Sequence, residues 1–233
     1  MWIAETIDED MGLKASFEGE IVYQETSEYQ EIVVFDSKAF GRMLMLDGAV
    51  QLSKKDEKIY HSTMVNPILT ADHKNVLIVG GGDGGILREL AKFEHIEKIT
   101  MVELDQRVID VSKEYLPFVS NGSFDDPRLN LVIQDAKIFI EETDEKYDLV
   151  IVDSTDPTEK GMSLYSEMFY RSIYNILSDH GSVICQVPTI AENTISYVLK
   201  TYKELFESTG YFFVSVPSFS FGNVMMIWGK KSE

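Results

Sequence analysis

A short apolar run followed by a cluster of glycines constrains the fold of this chain more than any other feature. The run covers residues 76–79 and reads Val-Leu-Ile-Val, which predicts a fully buried strand. The glycines at 80–82 and 84–85 permit a sharp turn and a close approach of a ligand to the backbone. Residues 86–93 then show a helical pattern. Together these features indicate a nucleotide-binding βα unit, unusual in that Asp83 lies within its turn.

The pattern on either side of this unit predicts an α/β fold with two domains. Residues 1–62 contain short β-like runs at 19–23, 31–35 and 42–46 between turn signals, so we expect a small N-terminal β-strand domain. Residues 63–233 alternate strand and helix, which predicts a methyltransferase-like, Rossmann-type catalytic domain with a mostly parallel sheet. Its strands are expected at 75–79, 98–102, 129–133, 147–152, 181–186, 211–216 and 223–228, the last two as a hairpin. Its helices are expected near 56–70, 84–93, 105–115, 136–142, 165–177 and 190–208.

Charge and composition narrow the class of partner. The chain has 39 Asp and Glu against 21 Lys and Arg, a formal net charge of −18. Nucleic acid is disfavoured as a partner, because its binding rests on cationic contacts to phosphate. A cationic small molecule is favoured, since the field of the protein attracts it. The alternative is an acidic surface that serves only solubility.

The location and metal content are predicted from the cysteine, the histidines and the hydropathy pattern. Cys185 is the single cysteine, so no internal disulfide can form, and we expect a cytoplasmic protein with Cys185 in a buried strand. We expect no membrane association, because no apolar run approaches membrane-spanning length and no secretory signal pattern is present. The four histidines are far apart in sequence without metal-ligand spacing, so no metal site is expected.

Acidic residues recur where the predicted strands end. Ligands of an open α/β sheet bind outside the carboxyl ends of its strands. A single acidic residue there is often only a helix N-cap, but recurrence at successive strand ends predicts a binding site. The acidic residues in these positions are Asp83, Glu103, Asp135, Asp153 and Asp156.

The spacing of these carboxylates favours a nucleoside with a cationic tail. Glu103 follows Asp83 by 20 residues, a distance that suits hydrogen bonds to ribose hydroxyls. The glycines also fit the fingerprint of a nicotinamide-dependent oxidoreductase, but Asp83 would lie uncompensated beside a pyrophosphate. A nucleoside sulfonium of the adenosylmethionine type fits better. Asp83 would repel a tail that ends in a carboxylate and pair with the ammonium of decarboxylated S-adenosylmethionine.

Several short motifs are distinctive, namely Leu46-Asp47-Gly48-Ala49-Val50-Gln51, Asp56-Glu57 with Tyr60-His61, the glycine turn with Leu87-Arg88-Glu89, Val102-Glu103-Leu104-Asp105, and Asp153-Ser154-Thr155-Asp156-Pro157. Together they resemble the polyamine aminopropyltransferases, the spermidine synthase family, from about residue 2 to residue 230. The resemblance implies transfer of an aminopropyl group from decarboxylated S-adenosylmethionine, a co-substrate, to putrescine. It implies no further cofactor, and an assembly of two or four identical chains joined through the N-terminal region.

The resemblance also implies a role for individual residues. Asp153 would be the catalytic base. The donor would be bound by Gln30, Asp83, Glu103, Asp135 and Ala136. The acceptor amine would be bound by Tyr60, His61, Asp156 and Gln186.

Three departures from the family pattern leave the acceptor open. Lys160 replaces a proline, Phe219 replaces a tyrosine that meets the diamine, and the chain ends at Glu233, before the helical tail of many members. The alternatives are another amine acceptor such as cadaverine or agmatine, a methyltransferase-like paralogue, or a non-catalytic paralogue. Retention of both Asp83 and Asp153 argues against the last two.

Overall fold

The computed structural model describes residues 1–8, 12–154, 162–188 and 192–231 of the 233-residue chain. Two β-sheets organise these residues. The strands of the first sheet are β1 (Trp2–Asp8), β2 (Leu13–Thr26), β3 (Glu31–Ser37), β4 (Gly41–Leu46) and β5 (Ala49–Ser53). The strands of the second are β6 (Asn75–Gly80), β7 (Lys98–Glu103), β8 (Leu129–Ile133), β9 (Tyr147–Asp153), β10 (Leu177–Pro188), β11 (Ser208–Ser215) and β12 (Asn223–Lys230).

Helices connect the strands of the second sheet. They are α1 (Glu57–Val65), α2 (Gly85–Ala91), α3 (Gln106–Tyr115), α4 (Pro117–Ser120), α5 (Ala136–Glu142), α6 (Glu167–Ile176) and α7 (Glu192–Leu205). Short 3-10 helices lie at Ser123–Asp125, Met162–Tyr165 and Ser220–Gly222. Among the described residues, no helix has the length and apolar character needed to cross a membrane.

The first sheet is an antiparallel meander in the order β1-β2-β3-β4-β5. Its central strand β3 is apolar on both faces. Ile32 and Val34 pack with Val108 and Val111 of α3, whereas Val33 and Phe35 lie in a separate cluster on the other face. One face of the N-terminal sheet therefore covers α3 and α4 of the second domain, which fixes the sheet next to the end of β7.

The second sheet has the order β11-β12-β10-β9-β6-β7-β8. Strands β10, β9, β6, β7 and β8 are parallel neighbours, and β12 pairs antiparallel with both β10 and β11. The strand order reverses between β6 and β9, because β7 lies on one side of β6 and β9 on the other. Such a switch point opens a crevice at the carboxyl ends of the strands, where ligands of these folds bind.

The fold class predicted from the sequence is confirmed, a small N-terminal β-sheet with a mostly parallel Rossmann-like sheet and helices. The predicted closing hairpin is present as β11 and β12, and Cys185 lies fully buried in β10. Strands β1 and β5 were not predicted. The domain boundary predicted at residue 62 falls inside α1. We propose that the division lies in the turn at residues 54–56, between β5 and α1.

Polar contacts tie the linking turn and the N-terminal sheet to the second domain. Asp56 accepts hydrogen bonds from the backbone N–H of Ser218 at 2.8 Å and from its hydroxyl at 2.7 Å. Asp105, the N-cap of α3, accepts the hydroxyl of Ser27 at 2.6 Å from the loop between β2 and β3. The first pair of contacts anchors the turn between the two sheets, and the second holds the loop between β2 and β3 next to the end of β7.

Candidate active site

The glycine turn after β6 interlocks with the end of β9. Gly80 has a φ of 81°, and a Cβ there would lie 2.2 Å from the carbonyl oxygen of Asp153. The N–H of Gly81 donates to the same oxygen at 3.1 Å. Only a glycine permits this approach, because any side chain at position 80 would displace the β9 backbone. The turn therefore fixes where the Asp153 carboxylate lies relative to Asp83.

Asp83 projects from this turn at the start of α2. Its Oδ1 accepts the N–H of Gly85 at 2.6 Å, and its side chain is 13% exposed. The hydrogen bond holds the carboxylate over the first turn of α2. Asp83 is thus a fixed negative charge that a ligand in the crevice can reach.

Asp153 is the second carboxylate of the crevice. The hydroxyl of Tyr60 donates to its Oδ1 at 2.6 Å. Burial and the neighbouring charge of Asp83 raise the pKa of Asp153 to about 6, whereas His61 and Tyr60 act to lower it. The group is therefore ionised at neutral pH but lies close to its midpoint, as expected of a proton acceptor.

His61 completes a cluster with the two carboxylates. A ring nitrogen of His61 and one carboxylate oxygen each of Asp83 and Asp153 all lie within 4.8 Å of one another. His61 Nε2 is 3.4 Å from Asp83 Oδ1, within ion-pair distance but without the alignment of a hydrogen bond. Burial acts to lower the pKa of His61, but the surrounding carboxylates, chiefly Asp83, raise it to about 10.

This cluster bears on the expectation of no metal site. Sequence spacing keeps the histidines apart, but the fold brings one of them to two carboxylates, and their spacing would suit a cation. A protonated imidazole has no lone pair to offer a metal ion. The absence of a metal remains a prediction.

Glu103 lies at the end of β7, on the other side of the glycine turn. A Cβ on Gly82 would lie 2.8 Å from Glu103 Oε2, so the turn passes directly over the carboxylate. Glu103 Oε1 accepts the N–H of Asp105 at 3.0 Å. Burial raises the pKa of Glu103 to about 7, against hydrogen bonds from the backbone that lower it. A ligand that hydrogen-bonds Glu103 would stabilise its ionised form.

The remaining residues predicted to bind a donor lie around this carboxylate. Gln30 Nε2 donates to Asp105 Oδ2 at 3.2 Å, which places the N-terminal domain next to the end of β7. Asp135 and Ala136 follow β8, the parallel neighbour of β7. Asp135 is also the N-cap of α5, since its Oδ1 accepts the N–H of Lys137 at 2.8 Å. A capping role and a ligand contact can coexist, because the carboxylate has two oxygens.

The predicted acceptor residues line the other side of Asp153. Gln186, at the end of β10, donates from Nε2 to the carbonyl oxygen of Ser154 at 3.0 Å and lies 3.4 Å from the Tyr165 hydroxyl. Tyr60 and His61 lie on α1, as described above. Asp156 lies outside the described residues.

Three residues of this region had no role in the sequence prediction. Tyr165 is buried beside Gln186. Glu57 and Arg88 form a buried ion pair behind His61. The spacing of Glu57 and His61, four residues apart on one helix, was the available signal for their contact. Arg88 gave none, because its partner lies on another helix.

Comparison with protein families identifies the chain. The model described as "Spermine/spermidine synthase domain" matches residues 57–233. The chain belongs to the spermine/spermidine synthase family. A second model, "Spermidine synthase tetramerisation domain", matches residues 1–54. The two matched segments meet in the turn where the first sheet gives way to α1.

Individual relatives of the spermine/spermidine synthase family agree along nearly the whole chain. A polyamine aminopropyltransferase of Ruegeria sp. (strain TM1040) is 41% identical over 217 residues, which are 91% of this chain and 76% of that protein. Polyamine aminopropyltransferase 1 of Pseudomonas aeruginosa is 39% identical over 233 residues, 98% of this chain and 81% of that protein.

A solved structure gives the same result in three dimensions. A crystal structure of a spermidine synthase in complex with the transition state analogue AdoDATO has a TM-score of 0.94 at 28% identity. It covers 100% of this chain and 80% of the other. The prediction of a polyamine aminopropyltransferase, an enzyme, is thereby confirmed.

The burial of the Glu103 carboxylate leads to a prediction about the stability of this member of the spermine/spermidine synthase family. Its pKa in the folded protein is about 7, above the ordinary 4.5, so the ligand-free fold loses stability as pH rises from 4.5 through 7. We expect Glu103→Gln to stabilise the ligand-free protein by on the order of 2–3 kcal/mol at pH 8, and much less at pH 4.5.

Urea unfolding at the two pH values, with and without a nucleoside ligand, measures this effect. Glu97→Gln is the control, because Glu97 is an exposed glutamate just before the same strand. A Glu103→Gln variant that is less stable than the parent at pH 8 would contradict the prediction.

Proposed function

We propose that this enzyme transfers the aminopropyl group of decarboxylated S-adenosylmethionine to putrescine, giving spermidine and methylthioadenosine. The observation that carries the proposal is the pair of carboxylates Asp83 and Asp153 at one switch point, with Tyr60 bonded to the second at 2.6 Å. Two carboxylates beside the single positive charge of His61 leave the crevice with a net negative charge, which calls for cationic ligands. Both substrates of this reaction are cations at neutral pH.

The proposed donor lies across the glycine turn. The ribose hydroxyls donate hydrogen bonds to the carboxylate of Glu103, the last residue of β7. Adenine lies against Asp135 and Ala136 at the start of α5, and Gln30 closes the nucleoside from the N-terminal domain. The aminopropyl ammonium pairs with Asp83. The carboxylate of intact S-adenosylmethionine would instead meet a like charge there.

The proposed reaction is a direct displacement at carbon. One ammonium of putrescine gives its proton to Asp153, and the freed nitrogen lone pair forms a bond to the carbon next to sulfur. The carbon–sulfur bond breaks, and its electron pair stays on sulfur, which becomes the neutral thioether of methylthioadenosine. The Tyr60 hydroxyl holds the Asp153 carboxylate in place, and Gln186 lies near the attacking nitrogen. Alignment of nitrogen, carbon and sulfur supplies much of the acceleration.

The second ammonium of putrescine stays charged in the proposed complex. We assign its binding to Asp156, which follows β9 in sequence but lies outside the described residues.

The solved spermidine synthase with the analogue AdoDATO supports the proposed aminopropyl transfer, because its TM-score to the chain is 0.94.

A different amine acceptor is the second candidate. The Phe219 ring lies 5.4 Å from the Tyr60 ring, so an apolar side chain borders the acceptor side of Asp153. Phenylalanine has no hydroxyl, so an amine acceptor meets a less polar surface at this position than a tyrosine would offer. Release of methylthioadenosine from decarboxylated S-adenosylmethionine, measured with putrescine, cadaverine and agmatine in parallel, separates the two candidates. Release of methylthioadenosine at the same rate in the absence of any amine would contradict both candidates.

We also propose that the enzyme works as a homodimer or homotetramer assembled through the N-terminal sheet and needs no cofactor beyond its co-substrate. The match of residues 1–54 to a tetramerisation domain supports the assembly. Light scattering of the purified chain tests it, and a monomer at micromolar concentration would contradict it.

Asp83 gives a prediction about donor choice. We expect decarboxylated S-adenosylmethionine to bind more tightly than S-adenosylmethionine, because only the first lacks the carboxylate that Asp83 repels. Asp83→Asn should weaken binding of the decarboxylated donor by about 1.5–3 kcal/mol, the usual contribution of a charged hydrogen bond. Isothermal calorimetry measures both affinities. Asp110→Asn, at an exposed carboxylate of α3, is the control. Equal or tighter binding of S-adenosylmethionine by the parent protein would exclude this role for Asp83.

A further inference from the structure

A chain of buried charges extends from the candidate active site into the protein. Arg88 on α2 donates to both oxygens of Glu57 on α1, from Nη1 at 3.0 Å and from Nη2 at 2.9 Å. Glu57 Oε2 also contacts His61 Nδ1 at 2.8 Å. The Glu57 side chain is 0% exposed, that of His61 1% and that of Arg88 9%. One carboxylate thus receives an arginine on one side and the active-site histidine on the other.

The rest of Arg88 is fixed by its surroundings. Its Nε donates to Glu89 Oε1 at 3.0 Å, and its Nη1 donates to the carbonyl oxygen of Val119 at 2.6 Å. Burial of such groups costs free energy that their attraction only partly returns. A gain in folding stability therefore does not explain why this network is buried. Its arrangement instead fixes the position of Glu57.

The backbone of α2 leaves room for the His61 ring and no more. A Cβ on Gly85 would lie 2.2 Å from His61 Cε1 and 2.3 Å from Nδ1. The ring therefore lies flat against the first residue of α2, with Glu57 at Nδ1 and Asp83 facing Nε2. Rotation of the ring would break the contact between Nδ1 and Glu57.

We propose that Glu57, held by Arg88, is a positioning residue that orients His61 as a fixed positive charge between Asp83 and Asp153. Glu57 touches no reacting atom, and it acts only through the His61 ring. This inference rests on the function proposed above, because it assigns Asp153 the role of proton acceptor.

The charge of His61 affects both carboxylates. The titratable or charged groups that face the ring come from α1, the glycine turn and β9, and they are Glu57, Tyr60, Asp83 and Asp153, with Arg88 of α2 behind Glu57. Burial favours loss of the ring proton, but these carboxylates raise the pKa of His61 to about 10. The resulting cation opposes the protonation of Asp153 that burial and Asp83 promote. It also disfavours the ammonium form of an amine nitrogen bound beside Asp153, as any like charge does.

Histidine NMR on the full-length protein tests the orientation and charge directly. The chain has four histidines, so selective ¹⁵N labelling gives few signals, and a His61→Gln sample assigns the one of interest. We expect the His61 ring of the parent protein to stay protonated from pH 5 to about 9. In Glu57→Gln its midpoint should fall by about 1–3 pH units, the effect of losing an opposite charge in contact. Glu57→Asp, which keeps the charge but withdraws it from Nδ1, should give a smaller fall.

Glu89→Gln is the matched control. Glu89 contacts the same arginine and is also buried, with a side chain 3% exposed, but His61 is not among its partners. The His61 midpoint should therefore stay unchanged in Glu89→Gln. The proposal is overturned if His61 of the parent protein titrates near its ordinary value of 6.5, if Glu57→Gln leaves its midpoint in place, or if Glu89→Gln shifts it equally. The first of these outcomes needs no variant to fold.

The pH dependence of kcat tests the link to catalysis. Glu57→Gln should show an additional fall in kcat with rising pH, with the same midpoint as its His61 ring in the NMR titration. Neither the parent enzyme nor Glu89→Gln should show it. A shifted NMR midpoint with no such fall would overturn the catalytic part of the proposal. Absence of aminopropyl transfer in the parent would overturn the proposed function, and it would leave the NMR result as a separate answer about Glu57.

Discussion

We expect Asp153→Asn to lower kcat by about 10²–10⁴-fold, the range for removal of a general base. Asparagine keeps the size and polarity of the side chain and can still accept the hydrogen bond from Tyr60, but it cannot take a proton from an ammonium group. Donor binding should be largely kept, because the nucleoside contacts proposed for Glu103 lie on the other side of the glycine turn. Steady-state kinetics with calorimetry of the donor separate the two effects.

The pH response and a neighbouring variant sharpen this expectation. The parent enzyme should lose activity below about pH 6 as Asp153 gains a proton, and the activity of Asp153→Asn should show no such fall. Raising the pH should partly restore Asp153→Asn, since free amine becomes more abundant. Asp156→Asn should mainly raise the KM for the amine, because it removes ground-state binding. Near-normal kcat of Asp153→Asn at neutral pH would make the assigned mechanism wrong.

Arg88→Met should lower the free energy of unfolding by about 3–5 kcal/mol, the usual result of removing one partner from a buried ion pair. The substitution keeps an unbranched apolar chain of similar length, but it leaves Glu57 and Glu89 buried without their shared cation. It also orphans the carbonyl oxygen of Val119. Denaturant unfolding at a fixed protein concentration measures the change, because association of chains adds to apparent stability.

Arg107→Met provides the comparison. Arg107 pairs with Glu25 at 2.9 Å, but its side chain is 46% exposed, so solvent screens the pair. An exposed pair contributes little to stability, so the variant should unfold close to the parent. Equal losses in the two variants would mean that the Arg88 network contributes no more than a surface pair.

Much of the second domain was predictable because its physics is local. Strands β6 and β9 are apolar on both faces, as buried parallel strands are, and they read as continuous runs of Val, Ile and Leu. The two strands of the N-terminal sheet that were missed, β1 and β5, are edge strands with mixed polar content. Their pairing depends on neighbours distant in sequence, including Glu5, which accepts the N–H of Val50 at 3.0 Å.

The candidate site divides in the same way. Asp83, Glu103 and Asp153 could be placed together because the carboxyl ends of parallel strands meet at one edge of the sheet. Nothing in the pattern placed Arg88 against Glu57, since that contact depends on how α1 packs on α2. The bond from Gln30 to Asp105 also depends on the docking of a whole domain. Contacts that depend on the packing of two elements distant in sequence were thus the ones that sequence spacing missed.

The hydrogen bonds from Ser218 to Asp56 constrain the order in which a newly made chain can complete its fold. They join residues 162 positions apart. The N-terminal meander pairs only consecutive strands, so it can form while the ribosome is still adding later residues. Asp56, in the turn that leads into α1, accepts a local hydrogen bond from the Ser53 hydroxyl at 2.7 Å, but its two hydrogen bonds from Ser218 can form only after Ser218 has emerged. A nascent chain that has not reached Ser218 can form its glycine turn and its N-terminal sheet, but it lacks these two buried hydrogen bonds at the base of the helix that carries Tyr60 and His61.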